Sequence, residues 1–332
     1  MKKLINTPAA YVDQAIDGLV ALYPALRRGG ATGRVVSHVV PPRARVGVVS
    51  GGGFGHLPLF TGYVGAGLLD ACSIGNVFEG PTAASCEEAI RAAAAGGQGV
   101  LCLYGNYGGD RMNFDMACEM VALDGIATRT VLGTDDIASA PPDEADRRRG
   151  VAGIILAYKA AGAAAARGDS LDDVAAVAAH AVARTRTIGL ALEPAQVPGA
   201  DGPTFALGDD EVEMGMGIHG EPGIWRAPMR SADAFVAEMC DRLLAEAPAT
   251  ANTRVLPMIN SLGATPLEEL LILFRAVAER LQAEGIEMVA PMVGHFATSM
   301  EMKGVSLTFS WPDEVLDTLY AAPAECPFWT VR

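Results

Sequence analysis

His219 sits in the string Gly215-Met216-Gly217-Ile218-His219-Gly220-Glu221-Pro222-Gly223, whose glycines and proline preset tight turns and place one imidazole on a loop rather than in a helix. A ring held that way suits contact with a ligand; a turn histidine bonded to a backbone carbonyl is the plainer alternative. His56 also lies in a glycine run, Ser50-Gly51-Gly52-Gly53-Phe54-Gly55-His56-Leu57-Pro58. Backbone N–H groups of such a run after a strand could cradle an anion, or the glycines could simply let the loop pack tightly. It is not a dinucleotide fingerprint, because His56-Leu57-Pro58 stands where the helix should begin. A third candidate, Asp110, ends Asn106-Tyr107-Gly108-Gly109-Asp110; an aspartate before an apolar helical run is also a common N-cap. His38, His180 and His295 lack comparable surroundings and read as structural.

The elements that must position these residues alternate. Strands are expected at Arg45 to Ser50, Gly99 to Tyr104 and Ile126 to Leu132, with helices at Cys86 to Ala95 and Asn113 to Leu123, the pattern of a mixed or mostly parallel sheet flanked by helices. Loops at the carboxyl ends of such strands converge on one crevice, so His56 and Asp110 are expected to face it. Two alanine-rich helices follow, about Gly150 to Arg167 and Leu171 to Arg186, the second opened by Ser170 with Asp173 three residues on. Beyond a strand from Thr187 to Leu192 the pattern resumes: helix Ser231 to Glu246, strand Arg254 to Asn260, helix Leu267 to Glu284, strands near Ile286 to Pro291 and Val305 to Ser310, and a short helix from Asp313 to Tyr320. The expectation is two α/β domains, residues 1–186 carrying the His56 and Asp110 loops and 187–332 a smaller α/β sandwich carrying the His219 loop.

With 332 residues, half of them hydrophobic and 19% charged, the chain can bury two cores. Its net charge of −14 arises from 39 acids against 25 bases, a surface that repels phosphate backbones and anionic lipid, so nucleic acid and membranes are not expected partners. Two lysines near the start lack a following apolar stretch, and the apolar run from Val151 to Ala166 is too short to span a bilayer. A cytoplasmic protein is expected. Six scattered cysteines form no CxxC pair and read as reduced thiols without a metal or disulfide framework. Walker A, HExxH and nucleophile-elbow signatures are absent.

Longer strings identify a resemblance. The chain is similar to the dihydroxyacetone kinase K subunit family, the ketose-binding component of small-ketose kinases, through Met1-Lys2-Lys3-Leu4-Ile5-Asn6, Ser50-Gly51-Gly52-Gly53, Gly55-His56, Asn106-Tyr107, Gly109-Asp110, Asn113-Phe114 and Arg148-Arg149-Gly150-Val151-Ala152. It continues through Ala166-Arg167-Gly168-Asp169-Ser170-Leu171, Gly217-Ile218-His219-Gly220-Glu221-Pro222-Gly223-Ile224 and Leu262-Gly263-Ala264-Thr265-Pro266-Leu267, in order and over essentially the whole chain. The resemblance implies that His219 attacks the substrate ketone and holds it as a hemiaminal, which needs a neutral ring and rejects polyols that lack a carbonyl. It implies that Asp110 accepts the proton of the terminal hydroxyl that attacks phosphorus, that His56 bonds the substrate and assists proton movement, and that Gly52 and Gly53 line the pocket. By the same resemblance this chain binds no cofactor of its own; Mg-ATP or Mg-ADP sits on a separate nucleotide-binding L subunit, a phosphotransferase-system protein is a possible phosphodonor, and the K subunit is a homodimer.

The chain departs from the family pattern at Phe54, usually serine, and at Leu57, usually glutamate. Gly105 stands where a lysine usually precedes the Asn-Tyr pair, and Arg111 follows the aspartate where an apolar residue is usual. These changes place Gly105 and Arg111 among the substrate-determining positions and suggest a ketose of four or five carbons, such as erythrulose or a branched pentulose. Two other readings stand beside the kinase component. One is a non-catalytic ketose sensor, which would need His219 but not Asp110; the other is a binder of fatty or anionic ligands, against which the polar residues His56, Asp110 and His219 argue.

Overall fold

A computed structural model describes residues 2–39, 44–251 and 253–332; Met1, which begins the first resembling string, lies outside them. The chain forms two compact units, Met1–Gly133 with Ile155–His180 and Leu316–Arg332, and Thr134–Ile154 with Ala181–Val315. These differ from the contiguous pieces 1–186 and 187–332 expected from sequence. Local pairings explain the difference. Asp136 bridges to Thr187, which assigns residues 134–154 to the second unit, whereas Ala66 bridges to Glu325 and draws the C-terminal segment onto the first. Gly62, Gly65 and Gly67 leave the room this requires: a Cβ on them would meet the Phe328 ring, the Glu325 carbonyl and the Pro323 carbonyl at 2.5, 2.1 and 2.5 Å.

In the first unit, strands β1 (Leu26–Gly29), β2 (Val35–His38), β3 (Gly47–Phe54), β4 (Ala71–Val77), β5 (Val100–Gly105) and β6 (Thr128–Gly133) form one sheet in the order β1-β2-β4-β3-β5-β6. β4, β3, β5 and β6 run parallel, while β1 and β2 join antiparallel, so the sheet is mixed as expected. Helix α1 (Tyr11–Leu22) precedes it. Helices α2 (Ala83–Ala93) and α3 (Gly108–Ala122) pack on the sheet through Ile90, Ala93, Phe114, Ala117 and Val121 against Val49, Val100, Cys102 and Tyr104. Apolar burial of this kind is what drives the two layers together. Thr82 caps α2 by accepting a hydrogen bond from the Ser85 N–H at 3.2 Å. Helix α4 (Ile154–Arg167) is buried around its whole circumference from Ile154 to Ala165, which its alanines permit and which marks an interior helix; α5 (Leu171–Ala183) follows it.

The second unit contains β7 (Thr185–Glu193), β8 (Glu211–Met214), β9 (Trp225–Pro228), α6 (Ala232–Ala245), β10 (Arg254–Ser261), α7 (Leu267–Ala283), β11 (Glu287–Met288), β12 (Met292–Gly294) and β13 (Lys303–Ser310). The strand order is β11-β10-β13-β7-β8-β9, with β12 also on β10. Alternation decides what each face carries. Ile188 and Leu190 of β7 and Val305, Leu307 and Phe309 of β13 pack against Phe235, Met239 and Leu243 of α6 and Leu270, Val277 and Leu281 of α7. The intervening residues give the opposite face a hydroxyl-rich character, with Thr187 and Thr308 sharing a 2.8 Å hydrogen bond and Thr187 donating to Asp135 at 2.6 Å. Helix α8 (Glu314–Ala321) and the hairpin β14 (Ala324–Cys326) and β15 (Trp329–Val331) close the chain. Both units are therefore α/β.

Candidate active site

In the first unit the parallel strands leave β3 in opposite directions, toward β4 on one side and β5 on the other. That is a topological switch point, where a crevice opens beyond the strand ends. His56 follows β3 by two residues and Asp110 follows β5. His56 is 1% exposed, its ring stacked on Phe78 at 5.0 Å with a 28° interplanar angle and edge-on to Phe60 at 6.3 Å. Both phenylalanines have a positive φ, Phe60 34° and Phe78 58°, a conformation costing about 1–3 kcal/mol for such residues. Glycines give these rings their space. A Cβ on Gly52 would lie 2.2 Å from the Phe60 ring, and one on Gly53 2.9 Å from the Phe78 Cα. Gly52 and Gly53 thus lie within β3 itself, extended and crowded, rather than in the loop expected from sequence.

Asp110 is not an N-cap. Tyr107 holds that place, and Asp110 is the third residue of α3, in its first turn, where free backbone N–H groups favour an acidic side chain. The helix begins five residues earlier than the apolar periodicity indicated. Asp110 is 7% exposed and packs on Gly80, where a Cβ would fall 2.5 Å from its Oδ1. The Asn113 amide, one turn on, donates to the Pro81 carbonyl at 2.8 Å, fastening the start of α3 to the same segment on which His56 stacks. His56 and Asp110 therefore share one wall, residues 78–81, as the strand pattern implied. Gly105 ends β5, buried and paired with Gly133, while Arg111 is exposed on α3.

The His219 loop lies in the second unit. Met216 and Ile218 are buried with Val151, Ala191, Leu262 and Met302, anchoring the loop by alternate residues, and the Met216 carbonyl would lie 2.8 Å from a Cβ on Gly189 of β7. Between the anchors, Gly217 donates to the Glu221 carbonyl at 3.0 Å and Gly220 to the Gly217 carbonyl at 3.1 Å, with Gly220 at φ 84°. The turn brings Glu221 back onto His219: its Oε2 accepts from the His219 backbone N–H at 2.9 Å, and its Oε1 lies 2.9 Å from the ring Nδ1. The ring's Nδ1 thus meets a carboxylate.

Burial works against the Glu221 charge, but the hydrogen bond and charge of His219, followed by the Arg149 guanidinium, hold its pKa down to about 2. An ionised carboxylate can only accept, so Nδ1 carries a proton; in the neutral form of the ring the lone pair then lies on Nε2. Glu221 is a partner of His219 that sequence reasoning named within a string but gave no role; only the turn, which sets side chains two residues apart against each other, reveals it. Phe60 and Phe78 were likewise missed, and no signal in their sequence marks them.

Residues 17–328 match the Dak1 domain. The chain belongs to the Dak1 family. Among its Dak1 relatives, the dihydroxyacetone-binding subunit of PTS-dependent dihydroxyacetone kinase 2 from Listeria innocua is 40% identical over the full length of both chains. A D-erythrulose kinase from Mycolicibacterium smegmatis is also 40% identical over 98% of this chain, which spans 56% of that longer protein. The crystal structure of the dihydroxyacetone kinase of C. freundii superposes with a TM-score of 0.90 at 32% identity, covering 99% of this Dak1 chain and 60% of that one. Among the described residues no helix is long and apolar enough to cross a membrane.

Proposed function

We propose that this Dak1 protein is the ketose-binding component of a small-ketose kinase, acting with a partner that carries the nucleotide. His219 adds through Nε2 to the ketone carbon as the C=O π bond breaks and its electron pair goes to oxygen, which takes a proton from solvent; the ring, now substituted on Nε2, passes its Nδ1 proton to the Glu221 carboxylate and through it to solvent, leaving a neutral hemiaminal. The covalent hemiaminal holds the sugar while Asp110 receives the proton of the terminal hydroxyl as that oxygen attacks phosphorus, and His56 assists. Mg-nucleotide belongs to an L-type subunit, with a phosphotransferase-system protein as a possible source of phosphoryl groups, and the chain works as a cytoplasmic homodimer. The observation that supports this reading is the contact of His219 Nδ1 with the Glu221 carboxylate, which favours the Nδ1–H tautomer with the lone pair on Nε2.

A four-carbon ketose is the proposed substrate. Phe54 and Leu57 replace polar groups of the family pattern, Gly105 removes a lysine, and Arg111 adds a charge; relatives named for both dihydroxyacetone and erythrulose are compatible with either size. A sensor has no use for a buried carboxylate in the first turn of α3, which favours the kinase component.

Incubation with dihydroxyacetone, erythrulose and glycerol followed by intact mass measurement is expected to show an added ketose for the first two and none for glycerol. Asp110→Asn should keep the adduct while phosphorylation with a Dak1-partner L subunit falls about 10²–10⁴-fold. No adduct with any ketose, or full turnover in that variant, would overturn the assignment. A kcat/KM far higher for dihydroxyacetone than for any tetrulose would overturn the substrate.

A further inference from the structure

Arg149 reaches the His219 loop from a segment some seventy residues earlier in the chain, and its surroundings leave it little freedom. Its Nε donates to Asp136 Oδ2 at 2.9 Å, and a terminal nitrogen lies 2.8 Å from the same oxygen. A further bond runs from the guanidinium to the Gly215 carbonyl at 3.3 Å, and the other terminal nitrogen lies 3.8 Å from Glu221 Oε2. The backbones are tied as well: Asp136 donates its N–H to the Arg149 carbonyl at 3.1 Å and Arg149 donates to Ser139 Oγ at 3.0 Å. Asp136 is itself 3% exposed and accepts from the Ala138 N–H at 3.1 Å, so the anchor is as fixed as the group it holds.

Gly217 completes the arrangement. A Cβ there would lie 2.2 Å from Glu221 Oε2 and 2.6 Å from an Arg149 terminal nitrogen, so the absence of a side chain at 217 is what lets guanidinium and carboxylate meet beside the ring. Asp136, Arg149, Glu221 and His219 thus stand in series, with charges alternating up to an imidazole whose Nδ1 faces a carboxylate.

We propose that Arg149, locked by Asp136, is a positioning residue that fixes the Glu221 carboxylate in the one place from which it accepts the Nδ1–H hydrogen bond of His219, and so commits the imidazole to the Nδ1–H tautomer, with its lone pair on Nε2. The inference deepens the ketose-trapping reading and rests on it for its consequence, but the tautomer can be read without any ketose. A guanidinium is suited to this task because its planar fork binds two carboxylates at once while staying charged. An ammonium has the charge without the fork.

The experiment is nitrogen-15 NMR of the five imidazoles in the full chain, with His219→Asn assigning the resonance, compared among wild type, Arg149→Met, Arg149→Lys and Asp136→Asn. Wild type is expected to show the Nδ1–H form of His219 alone. Arg149→Met should populate the Nε2–H form to a third or more and cut the rate of ketose adduct formation at least tenfold. Arg149→Lys should recover part of both, and Asp136→Asn should fall between. His56 and His180, in the other unit, should be unchanged in all four, which excludes a general loss of structure.

A wild-type tautomer in Arg149→Met, or equal loss in Arg149→Met and Arg149→Lys, overturns the inference. If wild type shows the expected tautomer yet traps no ketose, the function assignment fails while the positioning role stands.

Discussion

An imidazole that is to act as a nucleophile needs its proton on one nitrogen and its lone pair on the other, and the carboxylate that meets Nδ1 of His219 is only two residues away. His219 was legible because glycine and proline surround it; Glu221 was not, because side chains at that spacing face each other only once the turn around Gly217 and Gly220 is formed. His56 teaches the reverse. Its glycine run was visible, but the glycines proved to be strand residues whose missing side chains make room for Phe60 and Phe78, the rings that grip the histidine. Gly52→Ala is therefore expected to cost about 1–3 kcal/mol through overpacking, seen as a lower urea midpoint. Adding Phe60→Leu should return part of that loss, a coupling that a double-mutant cycle measures; additive losses would show that the ring does not define the space.

Helix α3 shows how far periodicity reaches at the level of elements. Its apolar face sets in only at Phe114, so the sequence pattern placed the start near Asn113 and left Asp110 outside; glycines at 108 and 109, poor helix formers, hid the first turn. The short strands β1, β2, β8 and β9 and the glycine-bearing β4 escaped for a related reason: four residues, or a run broken by Gly75 and Asn76, give too little alternation to detect. The long strands β3, β5, β6, β7, β10 and β13 were found to within a few residues. Helix α4 offers a test of its own.

Lys159 is wholly buried there, donating to the Leu319 carbonyl at 2.6 Å, and burial lowers its pKa from 10.5 to about 8. The unfolded chain binds the proton more tightly between those values, so stability should rise as pH climbs from about 8 to 10.5 and be at its lowest from this source below 8. Lys159→Met should abolish that rise and leave the protein equally stable or up to about 1–3 kcal/mol more stable at pH 7. Denaturant melts at pH 7, 8.5 and 10 decide it. A rise with pH that persists in the variant would assign it to other groups.

At the scale of the molecule, sequence reading gave two α/β bodies and the right strand-helix alternation, but one simple boundary at 186. Pairings such as Asp136 with Thr187 and Ala66 with Glu325 join residues far apart in the chain, and no local pattern encodes them. The C-terminal segment is accordingly part of the first unit's core: Leu316, Leu319 and Ala324 are buried, Glu325 donates its N–H to the Ala66 carbonyl at 2.9 Å, and Trp329 meets Tyr63 edge-on at 6.3 Å. Removing residues 316–332 should speed amide hydrogen exchange around residues 59–69 and in α4 by more than tenfold; retained protection there would mean that the segment only decorates the surface.

The interleaving also sets an order of assembly. During synthesis the body that begins second has all its parts once Val315 has emerged, whereas the body that begins first must wait, with Gly62, Gly65 and Gly67 facing an empty groove, for the strand that will fill it. The first unit therefore keeps apolar surface around residues 59–69 uncovered while residues 70–315 are being made, until the segment from Leu316 emerges to pack on it.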